Sequence, residues 1–194
     1  MYIFNKLFDF PKQYSGEFVT IFPTDIQFAV SDHEAVMASK EELRLWSDSD
    51  WPTEDFTIEE NREDLKFHVK DNEDHTAYGF MLYDADRKTC YGSLYVNPII
   101  AENFKNNKAA LASFDARINC WIRKDLDEKL KVAIIKELIV WLNSEWPIQW
   151  AFTARPALPQ YQNLFSKCGL KRSLTLVYKD DNELYLYAWR NLSF

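Results

Sequence analysis

Few side chains in this sequence are suited to moving a proton near neutral pH. His68 has the right unperturbed pKa, and Glu59, Glu60 and Asp64 stand near it in the same polar segment. Asp115 begins an alternating run in which Asp115, Arg117, Asn119 and Trp121 share one face of a strand, opposite Phe114, Ala116, Ile118, Cys120 and Ile122. That polar face needs water or a ligand. Arg123, Lys124, Lys129 and Lys131 follow, able to meet an anion as point charges, with Asp125, Asp127 and Glu128 interleaved among them. The three cysteines, Cys90, Cys120 and Cys168, are odd in number and lack metal-ligand or redox spacing, so they read as small buried hydrophobes and no metal is expected.

Composition bounds what can position these groups. At 194 residues the chain suits one domain, 1–194, with 1–17 as an N-terminal extension. Hydrophobic residues at 47% and aromatics at 16% supply a sizeable core. A net charge of −7 argues against general nucleic-acid binding, which calls for a basic face. No apolar stretch reaches bilayer length, and the opening MYIFNKLFDF has no small-residue cleavage site, so no membrane association and a cytoplasmic location are expected.

The elements alternate. A β-branched and aromatic run over 18–30 predicts a first strand, broken near Pro23. Ser31 and Asp32 offer caps for a helix through Ala35, Val36, Leu43 and Leu45. Thr57 with Glu60 forms a capping box for a second helix. Residues 77–83 and 89–96 read as a hairpin, and 114–122 as a third strand of that meander. Residues 125–144 carry the strongest helical periodicity, capped by Asp125 with Glu128, and make the crossover to a parallel strand over 148–153. A short helix over 160–167 ends at Gly169, and a hairpin turning at 180–182 completes the fold.

That order is similar to the GNAT acyltransferases over about 77–187. Asn119-Cys120-Trp121-Ile122-Arg123 resembles the family's fourth strand, and Phe165-Ser166-Lys167-Cys168-Gly169-Leu170 its closing helix. Leu43-Arg44-Leu45-Trp46, Trp51-Pro52, Phe56-Thr57-Ile58-Glu59-Glu60-Asn61 and Tyr91-Gly92-Ser93-Leu94-Tyr95 resemble a bacterial acetyltransferase-like branch. The resemblance implies an α/β (α+β) fold: a mixed, mostly antiparallel sheet of about six to seven strands, helices on both faces, and splayed parallel strands four and five.

It also implies an acetyl-CoA or other acyl-CoA co-substrate whose arm lies between those strands and whose pyrophosphate meets the crossover helix. Cys120, Trp121, Ile122, Arg123, Lys124, Lys129 and Lys131 would then bind cofactor, although the family's glycine-rich loop is replaced by Lys124-Asp125-Leu126-Asp127. The activity implied is N-acyl transfer to a small amine by direct attack; the alternative is a sensor or interaction module without turnover. Asp115 is the first candidate base, with Glu59, Glu60, Asp64 and His68 as others. Phe165 stands where the family carries a proton-donating Tyr, and Tyr161 one turn earlier can substitute. Trp46, Trp51, His68 and Asn119 would line the acceptor site. A homodimer is left open.

Overall fold

The computed structural model describes residue 4 and residues 8–189. One mixed sheet of eight strands runs β1 (Tyr14–Ser15), β2 (Thr20–Pro23), β3 (Tyr78–Tyr83), β4 (Cys90–Pro98), β5 (Ala116–Ile122), β6 (Trp150–Ala154), β8 (Glu183–Ala188), β7 (Lys171–Val177). All neighbours are antiparallel except β5 and β6. All six residues of β3 are buried, as expected of a strand covered on both faces. The helices α1 (Ala29–Ala38), α2 (Lys40–Ser47) and α3 (Ile58–Asp74) precede it, and α5 (Glu128–Glu145) and α6 (Pro159–Lys167) flank β6.

The predicted extension joins this body in part. Phe8 and Phe10 are buried in the main core, and β1 adds the eighth strand. Residues 1–3, 5–7 and 190–194 lie outside the described residues. Glu137 of α5 ties the segment down, its carboxylate accepting from the backbone N–H groups of Glu17, Phe18 and Val19 at 2.8–3.2 Å.

Three local readings change. The strand predicted over 18–30 stops at Pro23, and the helix begins at Ala29, so Ser31 and Asp32 lie inside it rather than capping it. That helix breaks at Ser39 into α1 and α2. The crossover helix starts at Glu128, not 125: Asp127 is its N-cap, accepting from Lys129 N–H at 2.8 Å, while Asp125 forms a two-pronged pair with Arg123 and Glu128 reaches Lys167 on α6 at 2.5 Å. The capping box of Thr57 and Glu60 forms as read. Gly169, at φ 88°, closes α6 with Leu170 N–H on Phe165 O and its own N–H on Ser166 O.

A segment without strong periodicity, 99–115, holds the short helix α4 (Lys108–Leu111) and makes its own contribution to packing. Phe104 and Leu111 join Leu174, Leu176, Leu184 and Leu186 in a second apolar cluster over the β7–β8 hairpin. On the main core, α5 buries Ile134, Ile135, Leu138, Trp141 and Leu142, with Trp141 edge-on to Phe80 of β3 at 4.9 Å. Each such side chain contributes roughly 1.5–3 kcal/mol by leaving water.

Candidate active site

The parallel strands β5 and β6 pair at only three positions, Ala116 with Trp150, Arg117 with Ala151 and Ile118 with Phe152, and then part. Asn119–Ile122 therefore has no partner strand on that side. Two aromatic side chains meet the backbone groups so released. Tyr161 of α6 accepts from Ile122 N–H at 2.8 Å and donates to Ile122 O at 3.3 Å. Trp46 of α2 donates its indole N–H to Cys120 O at 3.0 Å. On the opposite edge, β5 is held to β4 through Ile122, where Gly92 sits at φ 140°; a Cβ there would stand 2.1 Å from Trp121 O, so only glycine lets the strands approach.

Below the parting, a cavity of about 230 Å³ is walled by Ile122, Leu126, Lys131, Tyr161 and Leu164. The start of α5 borders it. Its cations are largely engaged: Arg123 with Asp125 at 2.7 Å, and Lys131 through its ammonium on Lys124 O at 2.6 Å. Lys124 N–H donates to Ser39 Oγ at 2.9 Å, while Lys129, exposed, makes no side-chain ion pair among the described residues. Burial pushes the Tyr161 hydroxyl far above its ordinary pKa, so it stays protonated.

On the other side of Asn119 lie two further cavities that share Trp46, Ser47 and Asn119. The larger, about 470 Å³, opens between α1, α3 and the faces of β4 and β5; Trp46, Trp51, His68 and Asn119 all line it, with Trp121. Asp64 also faces it, accepting from the Trp51 indole at 2.9 Å, and burial raises its pKa. Burial lowers that of His68, whose ring lies tilted against Tyr95 at 4.6 Å, so the imidazole is neutral and able to accept a proton.

Deeper in the same wall, Asp32 is buried with its carboxylate accepting from Asn61 Nδ2 at 3.0 Å and from the Cys90 thiol at 3.6 Å. Desolvation raises its pKa to about 6. The sequence hid this group, because Asn61 and Cys90 lie far along the chain. The second cavity, about 390 Å³, is lined by Arg117, Arg155 and Tyr178.

The remaining candidates divide plainly. Asp115 is exposed beyond the β5 start, where its carboxylate accepts from Gln149 N–H at 2.7 Å; it lines neither acceptor-side cavity. Glu60 is committed to its capping box, and Glu59 pairs with Arg62 on the exposed face of α3. Phe165 is fully buried against Phe152 and Tyr187. All three cysteines are buried and free. No grouping of three or more His, Cys, Asp or Glu side chains able to hold a metal occurs among the described residues. No helix among them is long and apolar enough to cross a membrane.

An open sheet with parting parallel strands, a crossover helix at their mouth and cavities to either side is the GNAT acetyltransferase architecture, and solved structures of that class superimpose on the chain. RimL, a ribosomal L7/L12 alpha-N-protein acetyltransferase solved in complex with coenzyme A, matches with a TM-score of 0.63 at 14% identity, over 89% of this chain and 93% of that one. The ribosomal-protein-S5-alanine acetyltransferase of Vibrio fischeri gives 0.62 at 13%, over 91% and 95%. The microcin C7 self-immunity acetyltransferase MccE, in complex with acetyl-CoA and AMP, gives 0.62 at 13%, over 89% and 92%. At these identities the likeness is one of fold. No family model matches the sequence, and no curated protein matches it.

Proposed function

We propose that the protein is an acyl-CoA-dependent N-acyltransferase, moving an acetyl group from acetyl-CoA to an amine by direct attack. The observation that carries this is the parting of β5 from β6 after Ile118, beside a cavity at the start of α5. An extended thioester arm can satisfy strand backbone groups there as a neighbouring strand would. Bound acetyl-CoA supplies the activated acyl group. The arm's slot fits; the pyrophosphate's cradle is altered, since no glycine precedes α5 and Asp127 already takes a helix-start donor.

The chain's own groups divide the remaining work. Asp64 and the neutral His68 face the acceptor-side cavity, where a carboxylate attracts an ammonium and the imidazole takes its proton so that a lone pair is available. Tyr161, kept protonated by burial, passes its proton to the departing thiolate once an arm has displaced its hydroxyl from Ile122, and regains one from the attacking nitrogen, which sheds its second proton as the amide forms. Cys120, Trp121, Ile122, Arg123, Lys124, Lys129 and Lys131 contact the cofactor, and Trp46, Trp51, His68 and Asn119 the acceptor. Solved neighbours named for ribosomal proteins make peptide N-termini worth testing beside small amines.

The capped start of α5 and the hydrogen-bonded Tyr161 favour a second reading, a GNAT-fold sensor that binds acyl-CoA without turnover. Calorimetry with acetyl-CoA, followed by thiol release over a panel of amines and peptides, separates the readings. We expect binding and release, with His68→Gln slowing release about a hundredfold and Asp115→Ala close to wild type. Binding with uniform silence across the panel supports the sensor, and absence of binding at millimolar ligand removes both.

A further inference from the structure

The 390 Å³ cavity contains an arginine that makes no ion pair among the described residues. Arg117 projects from the middle of the sheet, its backbone paired to Asn97 on one side and Ala151 on the other, so its base cannot shift. It is half-buried, and one guanidinium nitrogen donates to the Tyr178 hydroxyl at 2.8 Å. Among the described residues it makes no ion pair, in a chain with 30 acidic and 23 basic residues. Most of its five donors therefore have no acceptor among the described residues. A partly buried guanidinium with donors left to solvent takes an oxyanion as a charge-assisted, bidentate partner.

Its surroundings add donors. The Asn119 side-chain oxygen is taken by the Thr153 hydroxyl at 2.6 Å, which turns the amide NH2 into a donor with no partner among the described residues. Arg155 lines the same cavity, its side chain 19% exposed, paired at 3.3 Å with Asp48 and 5.7 Å from the Tyr178 ring. Two carboxylates oppose them: Asp48, already held by Arg155, and Asp180 on the exposed rim, which accepts from Asn182. Arg155 and Asp48 offset one another, which leaves Arg117 and the Asn119 amide as the donors open to a ligand, while the neighbouring cavity, with Asp32, Asp64 and His68, suits an amine.

We propose that Arg117, with Asn119 and Arg155, forms a subsite for an oxyanion carried by the acceptor, so that the acceptor class is an amine bearing a carboxylate or phosphate a short spacer away. This rests on the transferase reading for the amine's fate, but not for the anion's binding. The spacing is set by the strand: residues 117 and 119 share a face about 7 Å apart, and Asn119 borders both cavities. Arg117 and Asn119 thus bracket the boundary between the cavities, and the test set varies the spacer between nitrogen and anion from two to four bonds.

The test pairs acids with their neutral counterparts. Glycine and β-alanine are compared with their amides, and phosphoethanolamine with ethanolamine, by thermal shift and calorimetry on the full chain with and without acetyl-CoA, and by thiol release. The carboxylate and phosphate arms identify which oxyanion is preferred. We expect at least one acid to bind about tenfold to a hundredfold more tightly than its neutral partner, as charge-assisted bidentate contacts allow. Arg117→Gln should bring that ratio towards one, and Arg117→Lys should restore part of it. Equal binding of acid and neutral forms by the wild type overturns the subsite without any variant, as does a ratio that survives Arg117→Gln in a folded protein. An acid preference without acetyl-CoA binding leaves the subsite standing and removes the transferase.

Discussion

Tyr161→Phe separates the two tasks we assign to one hydroxyl. The substitution removes a single oxygen from a buried ring and leaves its packing in place, including its contact with Phe165 at 6.1 Å. In the free protein it strips both partners from Ile122, whose N–H and C=O then face a cavity wall without strand pairing. An unsatisfied buried group costs about 1–3 kcal/mol. Taking about 2 kcal/mol, a chain of this length should lose about 4–8 °C in melting temperature. With acetyl-CoA bound the sign reverses: the wild type must break those bonds to admit the arm, whereas the variant has nothing to break. Recovering about 1.4 kcal/mol of that cost tightens binding about tenfold.

Turnover then falls, by about a hundredfold if the departing thiolate is left to water. Differential scanning fluorimetry, calorimetry and single-turnover thiol release read the three effects separately. The reasoning fails if the melting temperature is unchanged, for then Tyr161 does not hold Ile122. It fails equally if acetyl-CoA binds the variant more weakly, because the hydroxyl would then be a ligand for the arm and not its placeholder.

Two further outcomes follow from single groups. Asp32, with a folded pKa of about 6 against about 3.9 unfolded, contributes stability that is full below pH 4 and is lost as pH rises through 6; Asp32→Asn should therefore gain on the wild type in urea midpoint between pH 5 and pH 8, by up to about 3 kcal/mol, and a gain independent of pH would refute the burial argument. Asp127→Asn keeps a side-chain cap on Lys129 N–H but removes a charge at the α5 start, so acetyl-CoA should bind severalfold tighter at low salt with little change in melting temperature; an affinity unmoved at every ionic strength would place the phosphates elsewhere.

What could be read in the sequence was local or periodic. The Thr57 and Glu60 pair sits within one turn, the hairpin strands alternate, and the α5 face repeats at helical spacing, so each announces itself without tertiary information. The break at Ser39 has neither Gly nor Pro to mark it. Ser31 and Asp32 look like caps, yet Ser31 bonds Phe28 O and Tyr83, and Asp32 is drawn inside by Asn61 and Cys90, 29 and 58 positions away. Alternation put Asp115 beside Arg117 and Asn119, but the strand begins at Ala116 and Asp115 turns to Gln149 instead. The meeting of Arg117 with Arg155 and Tyr178 required β6 and the β7–β8 hairpin to be placed first.

The two ends of the cleft differ in how far the protein has satisfied its own charges, and this decides where affinity and selectivity arise. At the α5 start, Arg123 holds Asp125, Lys167 holds Glu128 and Lys131 holds a backbone carbonyl, so apart from the exposed Lys129 an arriving phosphate would exchange existing contacts for new ones in partly exposed positions. Such exchanges are worth little net. On the proposed transferase reading, cofactor affinity comes chiefly from the arm between β5 and β6, where backbone pairing and burial would act together with little screening by salt. Arg117 makes no ion pair among the described residues, Asp48 and Asp180 in the same cavity being engaged with Arg155 and Asn182, and its guanidinium is half-buried on a rigid strand. On the subsite we propose, an acceptor's anion gains a contact with Arg117 without displacing one, so selection among amines would fall to this residue even where the thioester is held weakly.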